Sequence, residues 1–134
     1  MKVLYMPDQK LILIVDAEPD FLEIFGTKLT TSGFRVETAG NGEEGFKKAK
    51  SIKPDLVLMD VKMPGLDGAG TLLKIREDSE TKDVKVVFLT NFGDPREEIK
   101  NINNRFSKEF GAQGYLKKTE DLDVLVQQVR AFLQ

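Results

Sequence analysis

The chain has no cysteine and no histidine. The first absence excludes a disulfide framework, a thiolate metal site and a thiol nucleophile. The second removes the usual general base, the commonest transition-metal ligand and any phosphohistidine. A phosphoryl group carried by this chain must therefore sit on a carboxylate or a hydroxyl. An excess of charge of one sign is missing too. The 20 basic and 22 acidic residues leave a net charge of −2, without the basic excess or patch of a nucleic-acid binder. Long apolar runs are also lacking: the longest aliphatic stretch is Leu11–Val15, far short of the ~20 residues of a membrane helix. Residues 1–10 show no apolar core followed by a small-residue cleavage site. Together these absences predict a cytoplasmic protein that binds neither nucleic acid nor membrane directly.

What is present alternates short β-like runs with helical segments. The 134 residues fit one compact domain, large enough to bury roughly two-thirds of its unfolded surface without a staple. Leu11–Val15 (LILIV) is a continuous aliphatic run, as expected of a strand covered on both faces. Pro19 opens a helix to about Thr31, with Phe21, Leu22, Phe25 and Leu29 as its apolar stripe, and Ser32-Gly33 ends it. Phe34–Thr38 reads as a less apolar, edge-like strand. Asn41 can cap a helix over Gly42–Ser51. Leu56–Met59 is a third strand. The loop Asp60–Gly68 (DVKMPGLDG) leads into a helix to about Glu77, with Leu72, Leu73 and Ile75 apolar. Val84–Leu89 is a fourth strand. Asp94 and Pro95 start a helix whose stripe is Ile99, Ile102, Phe106 and Phe110. Gly111 ends it, Gly114–Leu116 is a short fifth strand, and Asp121–Leu133 is a final amphipathic helix. Five strands alternating with five helices imply an α/β fold: a parallel sheet, doubly wound, with helices on both faces.

Ligands of such sheets bind at the carboxyl ends of the strands. Strand one ends in Asp16-Ala17-Glu18, strand three in Asp60 and strand four in Thr90-Asn91, and strand five is followed by Lys117-Lys118. Acids, a hydroxyl and an ammonium thus converge on one edge. Carboxylate oxygens suit Mg²⁺, and a lysine supplies a point charge for phosphate. The combination points to phosphoryl chemistry.

Four stretches now acquire a common meaning: LILIVDAEPD at 11–20, PDLVLMDVKMPGLDG at 54–68, VVFLTN at 86–91 and GAQGYLKK at 111–118. Together they resemble the receiver domain of two-component response regulators, over nearly all of Lys10–Leu133. The resemblance implies a flavodoxin-like three-layer domain over 10–134, with strand order 2-1-3-4-5, after an N-terminal extension of residues 1–9. It implies that Asp60 accepts a phosphoryl group from a histidine kinase or histidine phosphotransfer protein. Asp16 then resembles the first acid of the metal-binding pair, reaching Mg²⁺ through water. Lys62 would lend its backbone carbonyl to the metal. Thr90 resembles the hydroxyl that bonds a phosphoryl oxygen, Tyr115 the switch aromatic, and Lys118 the lysine that pairs with the phosphoryl group, with Lys117 pointing outward. The output is a changed surface of the fourth helix, fifth strand and last helix, offered to a downstream protein.

Three positions depart from that pattern. Ala17 stands where the family has a second acid, a direct Mg²⁺ ligand. Asp60 and the Lys62 carbonyl then remain as direct ligands, and Mg²⁺ is expected to bind more weakly. Glu18, one position along, substitutes only if the loop bends. The segment Thr90–Gly111 is longer than usual by about one and a half helical turns, which lengthens the helix at 96–110. Thr119 stands where proline is usual after the lysine, and can cap the last helix. Ala17 supports an alternative, a pseudo-receiver acting as a phosphorylation-independent interaction module; intact Asp60, Thr90 and Lys118 speak against it. A phosphatase with an aspartate nucleophile is disfavoured, because Asp60-Val61-Lys62 lacks the second Asp of its DxDxT motif. A flavin-binding module is disfavoured by the missing Ser/Thr-rich loop after strand one. The only chemistry expected of the chain is its own phosphorylation and dephosphorylation.

Overall fold

A computed structural model of the chain describes residues 9–91 and 111–134. Five strands form one parallel sheet: β1 (Leu11–Val15), β2 (Arg35–Ala39), β3 (Leu56–Asp60), β4 (Val86–Thr90) and β5 (Ala112–Lys117), in the order β2-β1-β3-β4-β5. The three central strands are buried along their whole length, because helices cover both faces of the sheet. β2 lies at an edge of the sheet formed by the described residues, and its first four residues alternate between exposed and half-buried before the buried Ala39.

Successive side chains of a strand point to opposite faces, and the core divides accordingly. Leu13, Val15, Val57, Met59, Val86 and Phe88 pack with Ala49, Leu72 and Ile75. These last three come from α2 (Gly42–Ile52) and α3 (Gly68–Glu77). Ile12, Ile14, Leu56, Leu58, Val87 and Leu89 pack on the other face with Phe25, Leu29, Leu125 and Val129. Those come from α1 (Pro19–Thr31) and α4 (Leu122–Phe132). Each fully buried Val, Leu, Ile, Met or Phe side chain among these contributes about 1.5–3 kcal/mol.

Local chemistry sets the helix ends. Pro19 sits in the first turn of α1, where its missing N–H costs nothing. Gly33 follows the helix at φ +105°, a left-handed conformation that glycine adopts readily. Asn41 caps α2 by accepting from the Glu44 N–H at 2.8 Å, and Glu44 accepts in return from the Gly40 N–H at 2.7 Å. Asp67 caps α3 by accepting from the Gly70 N–H at 2.8 Å.

Several expectations need correction. The cap of the last helix is Asp121, which accepts from the Asp123 N–H at 2.8 Å, rather than Thr119; a side chain two residues nearer the helix reaches its free amides. β4 begins at Val86 instead of Val84, because Thr81–Val84 closes a turn through the Val84 N–H to Thr81 carbonyl bond of 3.1 Å. β5 is longer than Gly114–Leu116, because pairing with β4 draws in Ala112, despite an irregularity at Val86/Val87. Leu73 lies off the apolar stripe of α3 and is exposed. Four helices occur among the described residues. The expected helix over 96–110, its Asp94-Pro95 start and most of the N-terminal extension lie outside them.

This topology positions the site. Because the strands are parallel, their carboxyl ends share one edge. The winding reverses between β1 and β3, which opens a crevice there.

Candidate functional site

Val15 and Met59 are paired across the β1–β3 ladder, so the residues that follow, Asp16 just past β1 and Asp60 at the end of β3, come side by side at the carboxyl edge. Both are buried: Asp16 is 0% exposed and Asp60 6%. The Asp16 N–H donates to the Ala39 carbonyl at 3.0 Å, and its Oδ1 accepts from the Glu18 N–H at 2.8 Å. That second bond turns the chain into α1.

Lys118 completes the cluster. Its backbone N–H donates to the Thr90 carbonyl at 2.7 Å, which extends the β4–β5 ladder one step past the Thr90–Lys117 pair. Its ammonium lies 2.8 Å from Asp16 Oδ2 and 3.8 Å from Asp60 Oδ2, and it also pairs with the Glu18 carboxylate. The Lys118 side chain is 4% exposed, and its ammonium stands 4.7 Å from the centre of the Phe21 ring. Among the described residues, Asp16 Oδ2 thus has Lys118 as an ion-pair partner but no hydrogen bond of regular geometry.

Two buried carboxylates side by side disfavour their own ionisation. Burial, followed by the charge of Asp16, pushes Asp60 up to about 6; Lys118 and the Lys62 N–H act against the rise. Asp16 is raised by burial against the opposing pull of Lys118. Burial acts to lower Lys118, but its contacts with Asp16 and Glu18 outweigh that and hold it above its ordinary value. The ammonium is firmly charged, while Asp60 ionises around pH 6 rather than in the ordinary carboxylate range.

The loop after Asp60 folds back over the sheet. The Gly68 N–H donates to the Val61 carbonyl at 2.9 Å. A Cβ on Gly68 would collide with the Asp60 carbonyl oxygen and come within 2.9 Å of Val61 Cα, so a side chain there would displace the backbone that presents Asp60. Lys62 projects outward while its N–H reaches the Asp60 carboxylate.

The remaining sequence-identified residues fall around this centre. Thr90 is fully buried at the end of β4. Tyr115 is 42% exposed on β5, beside Phe88 in register. Lys117 points outward. Ala17 is half-buried against the core of the α2–α3 side and offers no side-chain oxygen. Asp16, Asp60 and Lys118 are in direct contact or ion-pair range; Tyr115 and Ala17 lie outside that contact set. Sequence reading did not anticipate Phe21 beneath the ammonium, nor Glu18 turned toward Lys118; their i, i+3 spacing at the start of α1 was the available signal.

The donor set fits Mg²⁺ as a site completed by water. Mg²⁺ takes hard oxygen ligands and is often held by one or two carboxylates with several waters. Asp16 and Asp60 provide two such carboxylates. Among the described residues no group of three or more acidic, histidine or cysteine side chains is arranged around one point.

The chain matches the family described as response regulator receiver domain over residues 12–130. It is 31% identical over 123 residues to the DNA-binding dual master transcriptional regulator RpaA of Synechocystis sp., which covers 92% of this chain and 48% of that protein. The chain therefore spans about half the length of that relative. The chemotaxis protein CheY4 of Vibrio cholerae superposes with a TM-score of 0.82 at 26% identity, covering 93% of this chain and 99% of that one. The response regulator TrrA of Thermotoga maritima, solved in complex with Mg²⁺ and BeF, gives 0.76 at 34% identity, over 93% of this chain and 100% of that one. The parallel sheet in the order 2-1-3-4-5, the loaded strand ends and these matches agree, and the chain belongs to the receiver domains of two-component response regulators.

Proposed function

We propose that the chain is a phosphoacceptor receiver, phosphorylated on Asp60 by a histidine kinase or histidine phosphotransfer protein. One observation carries this reading: a nearly buried carboxylate at the end of β3 stands beside a second carboxylate, with a charged ammonium 3.8 Å away. In the forward step an Asp60 carboxylate oxygen attacks the phosphorus of a phosphohistidine. The new P–O bond forms as the P–N bond breaks, and the departing imidazole takes up a proton. An acyl phosphate remains on Asp60. In a separate hydrolytic step water attacks that phosphorus and gives up a proton to solvent, the P–O bond to Asp60 breaks, and inorganic phosphate leaves with Asp60 restored as a carboxylate.

Phosphoryl transfer depends mainly on positioning and charge neutralisation. Lys118 offers its charge to the phosphoryl oxygens, and Thr90 offers its hydroxyl. Asp16, Asp60 and the Lys62 carbonyl would hold Mg²⁺, which when bound offsets repulsion between Asp60 and the incoming phosphoryl group. Ala17 weakens that site without removing its carboxylates. Thr90 and Tyr115 then relay the new charge to the β5–α4 side, where a downstream protein docks. The magnesium–BeF complex of TrrA lends support from a relative. No described helix is long and apolar enough to cross a membrane.

Ala17 alone favours a second reading, a pseudo-receiver that binds partners without phosphate. Intact-mass analysis after incubation with Mg²⁺ and acetyl phosphate separates the two. A single phosphoryl gain in the parent that is absent in Asp60→Asn supports the phosphoacceptor. An unmodified parent beside a labelled Ala17→Asp variant supports the pseudo-receiver.

A further inference from the structure

Lys118 is held more closely by the start of α1 than by the residue it is expected to serve. Its ammonium is 2.8 Å from Asp16 but 3.8 Å from Asp60, and it pairs with Glu18, a hundred residues away in sequence. Glu18 occupies the N-cap position of α1, yet its side chain makes no capping hydrogen bond. An N-cap side chain ordinarily satisfies the free amides of its own helix. Here the carboxylate turns to Lys118 instead. Phe21 lies three residues on, on the same side of the helix, and places its ring 4.7 Å from the ammonium. The ring is itself braced against Phe25, with centroids 5.3 Å apart. A carboxylate and an aromatic face are two features that stabilise a cation.

We propose that Glu18 and Phe21 form a resting cage for the Lys118 ammonium, which competes with the phosphoryl group on Asp60 for that charge. Both are positioning residues acting through Lys118, and the proposal rests on Asp60 being the phosphoacceptor. To neutralise a phosphoryl oxygen, Lys118 must leave or share Glu18. The cage therefore favours the unmodified state, and loosening it favours the phosphorylated one. Glu18 is largely exposed, so solvent limits the effect; a pair of this kind shifts an equilibrium about two- to fivefold.

The test uses the full chain, with beryllofluoride at saturating Mg²⁺ as the probe, titrated by ¹⁹F NMR. The ¹⁵N signal of the Lys118 ammonium is followed in parallel in the unliganded chain. Glu18→Gln is expected to tighten beryllofluoride binding about threefold and Phe21→Leu about twofold. Each variant should also shift the Lys118 signal and speed its proton exchange. Both gains should vanish in a Lys118→Met background. An equal gain from Glu18→Gln with Met at 118 would show plain charge repulsion from Glu18 and overturn the cage. So would an unmoved Lys118 signal, or binding that weakens in both variants. If no form binds beryllofluoride in an Asp60-dependent way while the ammonium signal still moves, the phosphoacceptor reading falls and the competition falls with it.

Discussion

Exchanging the proposed phosphoacceptor for its uncharged isostere, Asp60→Asn, is expected to stabilise the metal-free fold. Asp60 is 6% exposed beside Asp16 and is pushed up to about 6 from an ordinary 3.8. At ~1.36 kcal/mol per pH unit that difference is about 3 kcal/mol, and its sign follows from which state binds the proton. A raised acid holds its proton more firmly when folded. Stability is therefore lost as pH rises from about 4 towards 6, and the full cost is present above 6. Asparagine keeps the shape and the acceptor for the Lys62 N–H but has no charge to bury. Lys118 keeps Asp16 and Glu18 as partners. Coupling within the cluster takes back part of the gain, so about 1–3 kcal/mol of stabilisation is expected at pH 7.5, and about half of it at pH 5. Urea melts of both proteins with a chelator, at the two pH values, measure this. Unchanged or lower stability of Asp60→Asn at pH 7.5, or a gain that grows on acidification, would refute the reasoning.

Other consequences are open to equally direct measurement. Ala17→Asp restores a carboxylate beside the site and should tighten Mg²⁺ binding, measured calorimetrically, by about tenfold or more, since a charged contact is worth about 1.5–3 kcal/mol. Equal affinity of the two proteins would show that position 17 does not face the metal. The rate of phosphorylation by acetyl phosphate at low Mg²⁺ should fall as pH drops through about 6, because a protonated Asp60 is no nucleophile; a rate that stays flat from pH 7 to 5 counts against the buried-carboxylate account. Gly68→Ala drives a methyl group into the Asp60 carbonyl and should cost about 1–3 kcal/mol in urea melts, whereas an undisturbed fold would mean that the loop yields freely.

The fold was legible where pattern and packing agree. Leu11–Val15 reads as a buried strand because five consecutive aliphatic residues have no other place in a chain of this composition, and it is one. Asn41 was recognisable as a cap from its position alone, since the bond it makes is local. β5 was harder. Ala112, Gln113 and Gly114 carry little apolar signal, and it is pairing with β4 that makes them a strand. The site residues were visible as strand-end residues, and register explains why: the Val15–Met59 pair brings Asp16 and Asp60 together. The i, i+3 spacing of Glu18 and Phe21 placed them on one side of α1, but that they meet Lys118 was not legible, because it depends on contacts across about a hundred residues. That position 17 carries no carboxylate was visible directly. That its methyl group packs against the core instead is a property of the folded chain.

The central claim is that Asp60 itself becomes an acyl phosphate. Borohydride reduces an aspartyl phosphate to homoserine, so the modified position can be read by peptide mapping after incubation with Mg²⁺ and acetyl phosphate. Homoserine is expected at position 60, dependent on both reagents, with the peptide that carries Asp16 unmodified. Homoserine at another aspartate, or none at position 60 even in Ala17→Asp, would contradict it.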